Sequence, residues 1–203
     1  MATAVLDTYA GLQGAVLTWA NRGDAVVGDQ VVNFVRLGEE RIYRTLRLSG
    51  MVTVGTLTIP AAANYVALPA GWLEFKRISS AAEHRIEYMP PDALYDLPAP
   101  GDASRYSIEG DRLIYGQTPA ANLTLDVRYY ARPDYLAITP TNWLLTQAPS
   151  LFLYAALVEL AVFTRNAAML DQFGGMFDKV KGEMQSVDGA ATVSGGRLRL
   201  RRA

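Results

Sequence analysis

Hydrophobic and polar positions fall into three regimes along the chain. Over 3–20, Val5, Leu6, Tyr9, Leu12, Val16, Leu17 and Trp19 recur near the helical period. Asn21-Arg22-Gly23-Asp24 then breaks the pattern. A second helix is predicted from Asp29, a favourable N-cap, to Leu48. Val31, Phe34, Val35, Ile42 and Leu46 form its apolar stripe, with Arg36, Glu39, Glu40, Arg44 and Arg47 on or beside the opposite face. Glu40 and Arg44 have the i,i+4 spacing of an ion pair, worth about 0.3–0.5 kcal/mol.

From Met51 the period changes to two. Strands are predicted over 51–59, 65–68, 72–78, 85–89, 105–109, 112–115 and 123–130, where β-branched and aromatic residues alternate with polar ones. Gly110-Asp111, between Ile108 and Leu113, is a tight hairpin signal. Pro90-Pro91 and Pro98-Ala99-Pro100 mark loops, with one helical turn at 92–97. Helix returns after Pro149. The stretch 151–163 is apolar almost all round, as suits a helix at the centre of a bundle or against another chain. The stretch 166–184 is amphipathic, burying Met169, Leu170, Phe173, Phe177, Val180 and Met184; Gly174-Gly175 within it predicts a kink or a close helix contact.

These patterns predict an α+β protein. Two N-terminal and two C-terminal helices form a four-helix bundle (1–48 and 141–187), a small antiparallel β-domain is inserted at 49–140, and 188–203 is an extended C-terminal arm. The N-terminus lacks a basic region and Asp7 interrupts its apolar run, which argues against a signal peptide. The 13-residue apolar stretch at 151–163 contains Glu159 and falls short of the roughly 20 residues that span a bilayer. A soluble chain made in the cytoplasm, with no membrane partner, is expected, so the sequon Asn122-Leu123-Thr124 carries no weight.

Composition narrows the function classes. The 203 residues carry 19 Lys+Arg against 20 Asp+Glu, a net charge of −1, which disfavours nucleic-acid binding by the whole surface. Zero Cys excludes disulfides, thiol nucleophiles and thiolate metal sites; a single His, His84, leaves one imidazole. Charged residues are only 19% of the chain, with mean hydropathy +0.08, as suits a surface covered by other subunits or a large core. Arg outnumbers Lys 16 to 3. Arg is the cation favoured at interfaces, although a GC-rich genome gives the same bias. Arg41, Arg44, Arg47 and Trp143 are the candidate subunit-interface residues.

Catalytic motifs are missing: there is no phosphate-binding loop, dinucleotide fingerprint, zinc-protease helix or nucleophile elbow. Glu83 and Glu87 could form an acid–base pair on a helix; on a strand they flank His84 and Arg85 as a solvated charged edge, the favoured reading. No catalytic residue, metal or cofactor is assigned. The sharpest local feature is Gly195-Gly196-Arg197-Leu198-Arg199-Leu200-Arg201-Arg202-Ala203, with four Arg in the last seven residues. In an extended chain Leu198 and Leu200 face one way and Arg197, Arg199 and Arg201 the other. Three readings are open: a solvated tail, a phosphate-neutralising nucleic-acid contact, or an arm that docks on a partner protein. The last is preferred. The aromatic segment Tyr129-Tyr130-Ala131-Arg132-Pro133, followed by 139–145, is a packed connection in which Trp143 anchors the loop and Thr141 or Asn142 caps a short helix.

Glu39-Glu40-Arg41-Ile42-Tyr43-Arg44-Thr45-Leu46-Arg47 resembles the "AExRIxRxLR" stretch of tailed-bacteriophage head-to-tail adaptor (connector) proteins. Leu68-Pro69-Ala70-Gly71-Trp72-Leu73-Glu74 is similar to their "LPxDWLE" segment, with Gly71 where an acidic or polar residue is common. The blocks 128–133, 141–149 and 153–157 are similar to their most recognisable region, with Ser150 in place of a frequent Asp. Order and spacing agree over about 20–203. The resemblance implies a non-enzymatic virion component at the neck, assembled in the host cytoplasm as a homo-oligomeric ring, usually of twelve copies. Such a ring sits under the portal protein, extends the DNA channel without sequence-specific binding and receives a downstream tail or nozzle protein. It also implies that the C-terminal arm, Arg197, Leu198, Arg199, Leu200, Arg201 and Arg202, reaches the portal. The alternatives are a nucleic-acid-contacting module using the basic tail and, more remotely, a carboxylate-dependent cell-wall hydrolase.

Overall fold

Residues 6–21, 23–83 and 85–194 are described in the computed structural model of the chain. In chain order the elements are α1 (Tyr9–Trp19), α2 (Ala25–Thr45), a 3₁₀ turn (Ser49–Met51), β1 (Val52–Ile59), β2 (Tyr65–Ala67), β3 (Trp72–Ser80), β4 (Glu87–Tyr88), α3 (Pro91–Tyr95), β5 (Gly101–Glu109), β6 (Arg112–Gln117), β7 (Leu123–Ala131), α4 (Trp143–Gln147), α5 (Pro149–Phe163) and α6 (Ala167–Ser194). They divide into a helical unit, residues 1–49 with 133–203, and a β unit, residues 50–132.

In the helical unit α5 is central, packing against α2 on one side and α6 on the other, with α1 against α2 and α5. Its 15 residues bury Leu151, Phe152, Leu153, Ala155, Ala156, Leu157, Val158, Leu160 and Ala161, so it has no polar face and needs neighbours all round. Asp24, rather than Asp29, caps α2, its carboxylate accepting from the Val27 backbone N–H at 3.1 Å. The α2–α5 crossing is close because Gly38 lies there: a Cβ at this position would sit 2.9 Å from the Ala156 backbone nitrogen and 3.1 Å from the Ala155 carbonyl carbon.

In the β unit two sheets share one core. The first has strand order β1-β7-β3 and the second β2-β6-β5-β4. Ile59, Ile78, Leu125, Val127 and Tyr129 from the first sheet meet Tyr106, Leu113 and Tyr115 from the second. The β5–β6 hairpin turns at Gly110-Asp111, with Glu109 opposite Arg112 and Gly110 at φ +59°. Gly71, at φ +68°, makes the turn in which the Trp72 N–H donates to Pro69. Glycine suits the position, because a Cβ there would also lie 3.1 Å from the Arg132 carbonyl oxygen.

The class α+β stands, but the predicted four-helix bundle with one small antiparallel β-domain and an extended C-terminal arm does not. Among the described residues there are six α-helices and two sheets, and β4 runs parallel to β5. The Pro91 turn becomes α3, part of a crossover that returns the chain in the same direction rather than as a hairpin. Helix α6 continues to Ser194, so 188–194 are helical; 195–203, with the six arm residues Arg197 to Arg202, lie outside the described residues. A Cβ at Gly174 or Gly175 would meet nothing within 4 Å, so no close helix contact forms there within the chain.

Two predictions follow from this packing. Gly38→Ala pushes a methyl onto α5 backbone that cannot yield, and should lower stability by roughly 1–3 kcal/mol, read as a fall in the unfolding midpoint. Helix α5 ends in paired bonds from Arg165 N–H to Val162 and from Asn166 N–H to Ala161, with Arg165 at φ +53°, where glycine is favoured. Arg165→Gly should therefore raise stability by up to about 1 kcal/mol in the same measurement.

Candidate functional site: the arginine-bearing end of helix α2

The segment 39–47 looks solvent-facing because five of its nine residues are charged. Its structure is mostly inward. Glu39 is 1% exposed; its Oε1 accepts from the Leu136 backbone N–H at 2.9 Å and from the Tyr43 hydroxyl at 3.4 Å. Tyr43, also buried, packs against Tyr135 with ring centroids 5.7 Å apart, and the Arg36 guanidinium lies 3.0 Å over the Tyr135 ring. Asn142 donates to the Tyr43 hydroxyl at 3.5 Å, and its Oδ1 caps α4 through the Leu145 N–H at 2.9 Å. These contacts fix the connection 133–142 to α2. Charge alone suggests the polar face for Glu39. Its spacing from Val35 and Ile42, four and three residues away, puts it on the buried arc, and that is the signal that could have found it.

Arg41 forks onto Glu159 of α5, with Nε and Nη2 2.9 and 2.6 Å from Oε1; the carboxylate side is only 16% exposed. Glu40 pairs with Arg36 at 3.2 Å instead of with Arg44. Arg47 closes α2, its Nη1 donating to the carbonyls of Tyr43 at 2.9 Å and Leu46 at 2.7 Å, where a cation also meets the negative end of the helix dipole. Arg44 is exposed and has no acidic partner among the described residues. Beside it Leu37, Arg41, Thr45 and Glu159 line a surface depression of about 300 Å³. Trp143 is half-buried at the first position of α4. Of the four candidate interface residues, then, Arg44 is open to a partner, Arg41 and Trp143 are partly so, and Arg47 is held by its own helix. Val26, Val32 and Leu37 are exposed on the same helix.

The far end of α6 is held differently. Beyond Phe177 none of its described side chains is buried, but Asp188 accepts the Ser49 backbone N–H at 3.0 and 2.9 Å and also the Ser49 hydroxyl. That clasp precedes the Arg/Leu tail.

The two carboxylates fall on different elements, Glu87 on β4 and Glu83 in the turn before it. Glu87 lies on β4 with its carboxylate on Arg105 at 2.8 Å and Arg85 at 3.7 Å, and the Glu83 backbone is tied into a turn by Ser80. His84 lies outside the described residues. A neighbouring depression of about 390 Å³ is lined by Phe75, Arg77, Arg85, Tyr88 and Tyr106, where burial, and then the nearby Tyr88 and Glu74, push the Tyr106 hydroxyl above its ordinary range. Ser104 holds the Asp102 carboxyl below its ordinary range by side-chain and backbone hydrogen bonds, with Arg105 adding to them. Among the described residues no group of three or more His, Asp or Glu could hold a metal, and no helix is long and apolar enough to cross a membrane.

The chain belongs to the SU10 adaptor protein family, whose model matches residues 7–201. It is thus a phage adaptor with a structural role. No curated protein matches the chain.

The buried node is testable. Glu39→Ala removes the acceptor of the Leu136 N–H and should cost about 1–3 kcal/mol, whereas Glu39→Gln keeps an acceptor and should cost less. Denaturant midpoints of the two variants, side by side, check the difference.

Proposed function

We propose that this adaptor assembles as a homo-oligomeric ring, of twelve copies, beneath the portal protein at the virion neck. The ring extends the channel through which DNA passes without sequence-specific binding, and it offers the attachment surface for a downstream tail or nozzle protein. The observation that carries this reading is the family match over nearly the whole chain. The exposed apolar and arginine positions of α2 support lateral contacts, Arg44 with Leu37 at the centre, Arg41 through its exposed part and Arg47 by setting where α2 ends; Trp143, at the start of α4, adds its exposed part. A body with few charges suits such contacts, because little desolvation opposes them.

The C-terminal segment, Arg197, Leu198, Arg199, Leu200, Arg201 and Arg202, is the proposed portal-binding arm. Without the last seven residues the chain has 15 cations against its 20 acids, so that segment is a local basic excess on a net-acidic chain, able to pair with acidic partner residues. Assembly takes place in the host cytoplasm, on portal-bearing heads.

Purified protein mixed with portal particles and imaged by electron microscopy tests the ring; persistent absence of rings on any portal would sink it. For the arm, deletion of Gly196–Ala203 should move the melting temperature by no more than about 2 °C while portal attachment is lost. If the deletion instead abolishes a salt-sensitive DNA affinity and leaves attachment intact, the tail is a nucleic-acid contact.

A further inference from the structure

Four strand edges bound the two sheets of the β unit, and three are blunted in recognisable ways. Strand β2 has three residues and β4 two, too short to template another strand. Strand β3 carries Glu74, Lys76 and Arg77 and breaks register with β7 twice. Charges, irregularities and short length are the devices by which soluble proteins keep sheet edges from pairing.

Strand β1 has none of them. Its sequence, VTVGTLTI, contains no charge and no proline, and it pairs with β7 at eight successive positions without a register shift. Among the described residues no strand pairs with its other edge. Val54 is 68% exposed, and Thr53, Thr56 and Thr58 are exposed. Leu57 and Ile59 face the core, so Gly55 lies on that same side by strand alternation. A Cβ there would meet nothing within 4 Å, so the edge is open beside Gly55. The geometry points to a strand-pairing site: we propose that the outer edge of β1 receives an extended, alternating apolar and uncharged-polar segment of the downstream neck protein.

This rests on the ring reading above, which also selects the occupant. Pairing of β1 with β1 of a second copy would be two-fold and would close as a dimer, whereas a ring needs a head-to-tail contact. The other three edges of a second copy are blunted. The portal contact is assigned to 195–203, and an uncharged edge does not complement that arginine-rich segment. A strand from the component that joins next fits, because backbone hydrogen bonds supply the affinity and the space beside Gly55 admits a side chain of that strand.

The test uses Gly55→Lys, which sets a charge on the covered side of an edge strand, and Gly55→Ala as its control. Thr53→Lys is the second blocking variant, should Gly55→Lys melt more than about 5 °C below wild type. Heads carrying the portal are loaded with each variant and mixed with purified tails of the same phage, and joined particles are counted by electron microscopy. Wild type and Gly55→Ala should load and join. The lysine variants should load onto portals normally but join tails at least tenfold less. Equal joining by all variants overturns the proposal. So does failure of the lysine variants to load, which would make the edge a site for the portal or for the arm of a neighbouring copy. If wild type itself does not load, it is the reading of a ring beneath the portal that fails, not the assignment of the edge.

Discussion

The close crossing of α2 over α5 is the constraint on which the helical unit depends. Gly38 against the backbone of Ala155 and Ala156 brings the two helices nearer than any larger residue would permit, and everything along that contact follows from the short distance. Arg41 reaches Glu159 because the helices are near, and the pair is held at 2.6 Å with the carboxylate mostly out of water. A carboxylate so placed would be costly without its partner, so Gly38 and the ion pair depend on each other.

On the adjoining arc of α2 the same logic is applied to the backbone. The connection 133–142 has no strand or long helix to satisfy it, and a buried Leu136 N–H would be expensive to leave unpaired. Glu39 provides the acceptor, Tyr43 and Asn142 extend the network, and the Arg36–Tyr135 stack covers it. The charged segment at 39–47 is therefore largely a clamp within the chain, with Arg44 and the apolar Val26, Val32 and Leu37 of α2 left exposed. This accounts for a segment dense in charge on a protein with few charges overall.

The β unit is governed by edges and turns. Its core is a mixed aliphatic and aromatic set, with Phe75 meeting both Tyr106 and Tyr129 edge-on at about 6 Å. Close backbone approaches require glycine: a Cβ on Gly116 would lie 2.3 Å from the Asp102 carbonyl oxygen. Three of its edges are closed to pairing by length, charge or irregularity, and the contrast with β1 is what gives that strand its meaning.

Much of this was legible in the chain itself. The period-two stretches became strands, Gly110-Asp111 became the hairpin, and the apolar run at 151–163 became the central helix, because periodicity and turn chemistry are local properties. The family resemblance was also legible, since it rests on residue order. What sequence periodicity could not decide was which charged side chains turn inward. Charge alone suggests the polar face for Glu39 and Arg47, and spacing pairs Glu40 with Arg44; instead the 133–142 connection draws Glu39 inward, Arg47 folds onto the carbonyls at its own helix end, and Glu40 takes Arg36. The parallel β4–β5 pair and the extension of α6 to Ser194 were likewise settled by tertiary structure. A crossover's direction depends on what it packs against, and a Gly- and Ala-rich helix end is held by a distant contact, Ser49 to Asp188, that no local pattern records.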